Sequence, residues 1–372
     1  MRVPRHRQEW GEFERTIENK KLVIWGRSRN CIEICRKYPV AYIVDNNDEL
    51  CDIHVENREI CLPDRLYSED WNEVVVLICA PEKYYREISR NLDEIGIVDV
   101  FFLNAMENNF VNRISNELFD HMDSILKVKS WLYDDYSKKV LQEVVNRRIC
   151  GISTGYSDLK MNHEIQYLFP PAINGMTIVG GCILDGGGYI GDSIDRFVNR
   201  MGDTVRKIYT FEAMPENIKI LEKKKAEIEK VWTGTLKIVP YALADKKGTV
   251  TFFETEKKGG CFSPEFRNET QYLWKKPVRE LKVDTVSIDE VIPQTEKVGY
   301  IKMDIEGAEY EALTGARETI IRERPGLAIS IYHNAADYYR LAELIREYVP
   351  EYKLAVRHHK DKHVDTVLYA WI

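Results

Sequence analysis

The stretch IVGGCILDGGGYIGDS, closing at Ser193, limits what this chain can fold into more than any other. An apolar run with β-branched Ile178, Val179 and Ile183 ends on Asp185, and Gly186, Gly187 and Gly188 crowd into the positions after it. Gly191 then falls within an apolar-periodic set, Ile190, Ile194, Phe197 and Val198. That order predicts a strand, a glycine turn and a helix. Such a turn lets the backbone approach a ligand closely, and the helix start supplies free amide donors.

The letters alone fit two cofactors. Gly186, Gly188 and Gly191 satisfy GxGxxG, and Glu212 follows about 20 residues on, as a dinucleotide site would require. Asp185 separates the readings. An acid ahead of the first glycine would repel a pyrophosphate, whereas an amino-acid moiety carrying an ammonium and a sulfonium would tolerate it. DGGGYIGD therefore resembles the first motif of class I S-adenosylmethionine-dependent methyltransferases, with Glu212 placed for ribose hydroxyls. The bland alternative is a glycine turn that only permits tight packing of helix on strand.

A chain of 372 residues suggests two domains with room for a connector. Its 44% hydrophobic and 30% charged content is that of a globular protein. A net charge of −7 and a pI near 5.8 argue against broad capture of nucleic acid. No apolar run reaches the ~20 residues of a spanning helix, and MRVPRHRQEW is not followed by a signal-like core, so a cytoplasmic protein is expected. The eight cysteines are scattered without paired CxxC spacing and read as reduced core thiols.

Residues 1–104 read as a small parallel α/β domain: KLVIWG, VAYIVD, Val74–Cys79 and Val98–Leu103 alternate with helical segments. Its first turn, GRSRNC, keeps a single glycine, which argues against a dinucleotide site, and a packing or dimerisation module is expected over binding of a nucleotide or sugar nucleotide near Gly26 and Asp45. The segment resembles the small Rossmann-like domain that often precedes sugar-modifying acyltransferases and methyltransferases. Residues 105–164 read as a helical connector, with Phe110, Ile114, Leu118, Met122 and Ile125 on one face. Residues 165–372 then repeat strand and helix to a final pair of strands, YKLAVRHH and VDTVLYAWI. That order is similar to a doubly wound class I methyltransferase sheet of seven strands, the last one antiparallel.

DGGGYIGD, YTFEAMPEN, YALADKKG, VDTVSIDEV, YIKMDIEGAEYEALTGA and the terminal HH followed by DTVLYA resemble, in this order, the FkbM family of S-adenosylmethionine-dependent methyltransferases. KMDIEGAE is the most specific element, and Gly188 stands where the family usually has alanine. The resemblance implies O-methylation of a hydroxyl on a sugar, glycan or related natural product. A noncatalytic scaffold that keeps the cofactor fold within a biosynthetic complex is the alternative. Acceptor identity and association into a homo-oligomer stay open.

On this reading S-adenosylmethionine lies against Gly187, Gly188 and Gly191 and Glu212, with Asp185 near its amino-acid moiety and Ala242 and Leu243 near the adenine. In an open parallel sheet, ligands collect at the carboxyl ends of the strands, where this chain also presents Asp304, Glu306, His333 and the pair His358, His359. His333 is the expected general base, since an unperturbed imidazole titrates near 6.5. His358 is the reserve. Asp304 would orient acceptor or base, with Glu306 in support near the methyl donor. Asp304, Glu306 and the histidines could ligate magnesium or zinc, but no fixed-spacing ligand pair demands a metal and none is assigned.

Overall fold

A computed structural model describes residues 3–51, 53–174, 181–254, 260–261 and 279–372. Ile178 and Val179, and most of the loop GGCFSPEF, lie outside the described residues. The chain divides into two compact units. One comprises residues 1–123, 141–158 and 361–363, and the other 124–140, 159–360 and 364–372. Of residues 105–164, 105–123 and 141–158 fall in the first unit and 124–140 and 159–164 in the second. Among the described residues no helix is long and apolar enough to cross a membrane.

The first unit is built on a sheet of β1 Lys21–Trp25, β2 Val40–Val44, β3 His54–Val55, β4 Arg58–Cys61, β5 Val74–Ile78 and β6 Asp99–Phe102, in the order β3-β4-β2-β1-β5-β6. All its pairings are parallel except the short β3–β4 hairpin. β5 is buried at every position, which is why it reads as an unbroken apolar run rather than an alternating one. In the turn after β1, Gly26 has φ +99°, and a β-carbon there would fall 2.8 Å from that of Ala80. Asp45 receives the backbone N–H groups of Arg27 and Asn47 at 2.9 and 3.0 Å, so its carboxylate is occupied in closing this turn.

The second unit carries a sheet of β7 Cys182–Gly186, β8 Lys207–Phe211, β9 Thr235–Val239, β14 Val298–Met303, β15 Gly326–Ser330, β16 Lys353–His358 and β17 Thr366–Trp371, in the order β16-β17-β15-β14-β7-β8-β9. β17 runs antiparallel to both β15 and β16, and every other pairing is parallel. This is the expected doubly wound sheet with a reversed last strand. Strand order turns about β7, whose two neighbours β14 and β8 lead to opposite edges. In such sheets the crevice at the carboxyl ends of the strands flanking that point is the natural ligand site. A smaller sheet, formed by β10 Ala242–Leu243, β11 Gly248–Glu254, β12 Gly260–Cys261 and β13 Arg279–Val286, follows β9. GTVTFFE is the expected hairpin-type strand, pairing antiparallel with β13.

Ile194 and Phe197, on the inner face of the helix Asp192–Met201, pack into the core with Ile183, Ile208, Leu221 and Tyr300. The 3.6-residue spacing of its apolar positions places that stripe on the sheet. The start of this helix is therefore brought to the carboxyl end of β7.

Candidate active site

The turn after β7 is shaped by contacts within the protein. Gly187 has φ +79°, and a β-carbon there would fall 2.0 Å from the carbonyl oxygen of Asp304. At Gly188 it would fall 2.2 Å from Thr210 Oγ1. Gly191 has φ +84°, and its β-carbon would meet the flexible side chain of Lys224 at 2.3 Å and the buried Leu221 Cδ2 at 3.3 Å. The amides of Gly187 and Gly188 both donate to Phe211 O at 3.0 Å, tying the turn to β8. Close approach of β14 and β8 thus requires the first two glycines, whatever the ligand.

Asp185 is fully buried beneath this turn. It accepts hydrogen bonds from Ser193 Oγ at 2.9 Å and Thr210 Oγ1 at 3.1 Å, and its Oδ1 lies 3.1 Å from Lys302 Nζ. Lys302 in turn donates to the carbonyls of Gly186 and Gly187 at 2.9 and 2.8 Å. Burial disfavours the ammonium, but Asp185 and Asp304 outweigh that and raise its pKa. A lysine inside the apolar strand YIKM signalled such a buried partner, and the sequence reading passed over it.

A cavity of about 450 Å³ opens at the carboxyl ends of β7, β8 and β14. Of the residues assigned to the cofactor, Gly187, Glu212, Ala242, Leu243 and Glu306 line it, whereas Asp185, Gly188 and Gly191 do not. Glu212, one residue past β8, receives the N–H of Tyr189 at 2.8 Å and that of Met214 at 2.8 Å, clasping the glycine turn from the cavity side. Burial raises its pKa against these hydrogen bonds. Met214, Ala242 and Phe252 pack together as an apolar patch of the same wall.

The opposite wall is acidic. Asp304, just past β14, accepts from Tyr167 Oη at 2.8 Å and from Tyr332 Oη at 3.0 Å. The helix Glu309–Thr314 has Ala308 at its N-cap and no side-chain cap, so neither Asp304 nor Glu306 serves it as a capping residue. Tyr167 is fixed by Tyr369, whose hydroxyl accepts its N–H at 3.0 Å, and by Tyr300, whose hydroxyl donates to its carbonyl at 2.6 Å.

His333 follows β15 and is buried behind this wall. Its Nδ1 is 2.9 Å from Glu309 Oε1, and its Nε2 lies 3.6 Å from Asp304 Oδ1 and 3.6 Å from Glu306 Oε2. Burial alone would lower its pKa, but Glu309, Glu306 and Asp304 carry it up to about 10, which favours the imidazolium. Partial burial and the repulsion of Asp304, Glu309 and Asp365 push the half-exposed Glu306 carboxyl upward against the pull of His333. Asp304 is held below the usual carboxylate range, because His333 and Lys302 outweigh its burial. His358 stands apart from the cavity lining: it is fully buried at the end of β16, with Nδ1 2.8 Å from Thr366 Oγ1.

Backbone conformation points to the same place. Tyr167, Tyr189, Glu306 and Asp365 have φ of 66°, 44°, 58° and 63°, and all four line the cavity. Left-handed angles at non-glycine residues cost roughly 1–3 kcal/mol each and gather where a site needs side chains aimed against local preference. Glu309 and Lys302 are the members of this arrangement that sequence reasoning missed, although both fall within KMDIEGAE.

Residues 185–353 match the family model of the methyltransferase FkbM domain. Among solved structures, the chain is similar to the methyltransferase FkbM from Methylobacillus flagellatus KT, at 20% identity, TM-score 0.57, over 95% of this chain and 90% of that one. Weaker likenesses include a precorrin-6y C5,15-methyltransferase from Geobacter metallireducens GS-15, at 11% identity, TM-score 0.32 and 58% and 91% coverage of this chain and that one. Another is an O-methyltransferase from Bacillus cereus in complex with SAH, at 10% identity, TM-score 0.29 and 66% and 99% coverage. Comparison with curated proteins returns no match.

Proposed function

Given an FkbM methyltransferase domain at residues 185–353, we propose that this chain is an S-adenosylmethionine-dependent O-methyltransferase whose acceptor is a hydroxyl of a sugar, glycan or related natural product. The observation that carries the reading is the shared cavity: the glycine turn, Glu212 and an apolar patch occupy one wall, and Asp304 and Glu306 the other.

The residues present fit the cofactor. Glu212 accepts the backbone N–H groups of Tyr189 and Met214 and faces the cavity, where its carboxylate is placed to accept ribose hydroxyls. Ala242, Leu243 and Phe252 offer the apolar contact that an adenine ring needs. Asp304 and Glu306 provide negative potential on the wall facing them, which suits an ammonium and a sulfonium. Asp185, neutralised by Lys302 and shut beneath the turn, shapes the loop from behind. When bound, the cofactor supplies an electrophilic methyl group.

What the chain must add is position and removal of a proton. Holding an acceptor oxygen at near-attack distance supplies much of the acceleration in a displacement of this kind. A sugar hydroxyl is a weak nucleophile at neutral pH, so its proton must leave as the bond forms. His333 is the base expected from sequence; the carboxylates around it favour its protonated form, in which it has no lone pair to offer. In that charge state the basic groups on the cavity wall are the carboxylates, with Glu306 the stronger base of the two.

Release of S-adenosylhomocysteine is the test, screened against sugar nucleotides and free glycans. Turnover with at least one hydroxyl-bearing acceptor is expected. Tight binding of S-adenosylhomocysteine with no acceptor turned over would favour a scaffold, and preference for NAD would remove the reading.

A further inference from the structure

Asp365 is a cavity carboxylate that neither cofactor binding nor proton removal uses. It precedes β17, is 5% exposed and lines the cavity, and its backbone is left-handed at φ 63°. Burial, Asp304 and Asp365 together raise the pKa of the Tyr167 and Tyr332 hydroxyls, so Asp365 stands beside the acidic wall. Yet its Oδ2 is buried and accepts no hydrogen bond. Lys360 Nζ is 2.7 Å away, an ion pair poorly aligned for a hydrogen bond, and His163 Nε2 is 3.8 Å away. A buried carboxylate oxygen without a donor is unfavourable unless something in the cavity supplies one.

His163 is set to donate toward that oxygen. Arg196 Nη2 lies 3.0 Å from His163 Nδ1, and because a guanidinium only donates, Nδ1 accepts and the ring proton sits on Nε2. Burial and the Arg196 charge lower the pKa of His163, which favours this neutral ring. The 3.8 Å from Nε2 to Oδ2 is too long for a direct hydrogen bond and leaves room for one hydroxyl oxygen to bridge the two. Only a group that both accepts and donates fits there. A phosphate or carboxylate would meet the Asp365 charge with no proton to give, and an ammonium would meet N–H donors with no lone pair. Lys360 Nζ, beside the same carboxylate, offers a donor to a second hydroxyl.

We propose that Asp365, Lys360 and His163 form the acceptor subsite of this cavity and bind two hydroxyls on adjacent carbons of an uncharged polyol or sugar ring. These residues occupy the acceptor end, whereas Glu212, Ala242 and Leu243 belong to the cofactor end. The role of the subsite rests on the methyl-transfer reading above; its capacity to bind a diol does not. The competing occupant is water, which can make the same bridge.

The full-length protein, with and without saturating S-adenosylhomocysteine, is titrated with the methyl α-D-glycosides of glucose, galactose and mannose, followed by saturation-transfer NMR. Each carries adjacent free hydroxyls, and at least one should bind. Asp365→Asn keeps the side-chain shape and a residue that tolerates left-handed backbone, and Lys360→Met changes a half-exposed side chain. Each should weaken glycoside binding by about tenfold or more, as loss of a hydrogen bond to a charged group does. Calorimetric affinity for S-adenosylhomocysteine should be unchanged in both. No glycoside bound by the parent, or binding that either variant leaves unchanged, overturns the subsite and gives the space to water. Loss of S-adenosylhomocysteine affinity in either variant also overturns it, by placing these residues at the cofactor end. Glycoside binding that needs Asp365, in a protein that binds no S-adenosylhomocysteine, would keep the subsite and sink the cofactor reading; the reverse result would do the opposite.

Discussion

Lys302 Nζ lies 3.1 Å from Asp185 Oδ1 beneath the glycine turn, and the same nitrogen donates to the carbonyls of Gly186 and Gly187. Both side chains are buried, so each is the other's compensation for lost water. Lys302→Met should therefore destabilise the protein by about 3–5 kcal/mol, the range found when one partner of a buried pair is removed. Pairing it with Asp185→Asn should recover part of that loss, because the orphaned charge is gone. Denaturant unfolding of the two variants measures this. A single variant as stable as the parent would mean that the pair does not hold the turn.

The glycines of that turn should differ sharply in tolerance. Gly191→Ala meets a lysine side chain that can move and touches Leu221 Cδ2 at 3.3 Å, so its main cost is a left-handed backbone penalty of roughly 1–2 kcal/mol. Gly187→Ala adds a collision with the backbone carbonyl of Asp304 at 2.0 Å, and that carbonyl cannot yield without shifting the acidic wall. Unfolding midpoints and affinity for S-adenosylhomocysteine should both fall far more in Gly187→Ala than in Gly191→Ala. Equal effects would place the strain elsewhere.

Glu212 faces the cavity while holding the amides of Tyr189 and Met214. Its removal costs the loop two anchors and the cofactor an acceptor. Hydrogen bonds to a charged group contribute about 1.5–3 kcal/mol. Glu212→Ala should accordingly weaken S-adenosylhomocysteine by about 10- to 100-fold in calorimetry, with circular dichroism confirming the fold. Unchanged affinity would detach Glu212 from the cofactor.

The strand, glycine turn and helix at β7 and the acid after β8 were legible from local pattern, that is from apolar runs, turn residues and helical spacing, whereas the doubly wound sheet with its reversed β17 was legible only through the resemblance to methyltransferases. The working of the site was not. Tyr167 reaches Asp304 across 137 positions, and Lys302 reaches the Gly186 carbonyl across 116. No periodicity encodes such pairings. The charge state of His333 was hidden for a related reason. It depends on three carboxylates, and one of them, Glu309, sits at a helix start where an acid reads as an ordinary complement to the dipole. Nor did the glycines announce that β14 and Thr210, rather than a ligand, require Gly187 and Gly188.

His359 links acid pH to the cavity. It is buried, with Nδ1 3.3 Å from the carbonyl of Asn162 and Nε2 3.2 Å from Tyr369 Oη. In the neutral ring Nδ1–H donates to Asn162, and Nε2 accepts from the same hydroxyl that receives the N–H of Tyr167. Burial lowers its pKa to about 4, from an ordinary value of 6.5. A depressed histidine leaves the unfolded chain holding more protons between those values, so its contribution to stability is complete above pH 6.5 and is lost as pH falls toward 4. A protonated Nε2 would also turn from acceptor to donor and break the chain from Tyr369 through Tyr167 to Asp304. Stability measured by denaturant should therefore decline across this window, and affinity for S-adenosylhomocysteine should decline with it. His359→Gln keeps a donor and an acceptor but cannot titrate, so it should flatten the histidine part of both profiles. A variant with the same acid dependence as the parent would assign that dependence to other groups.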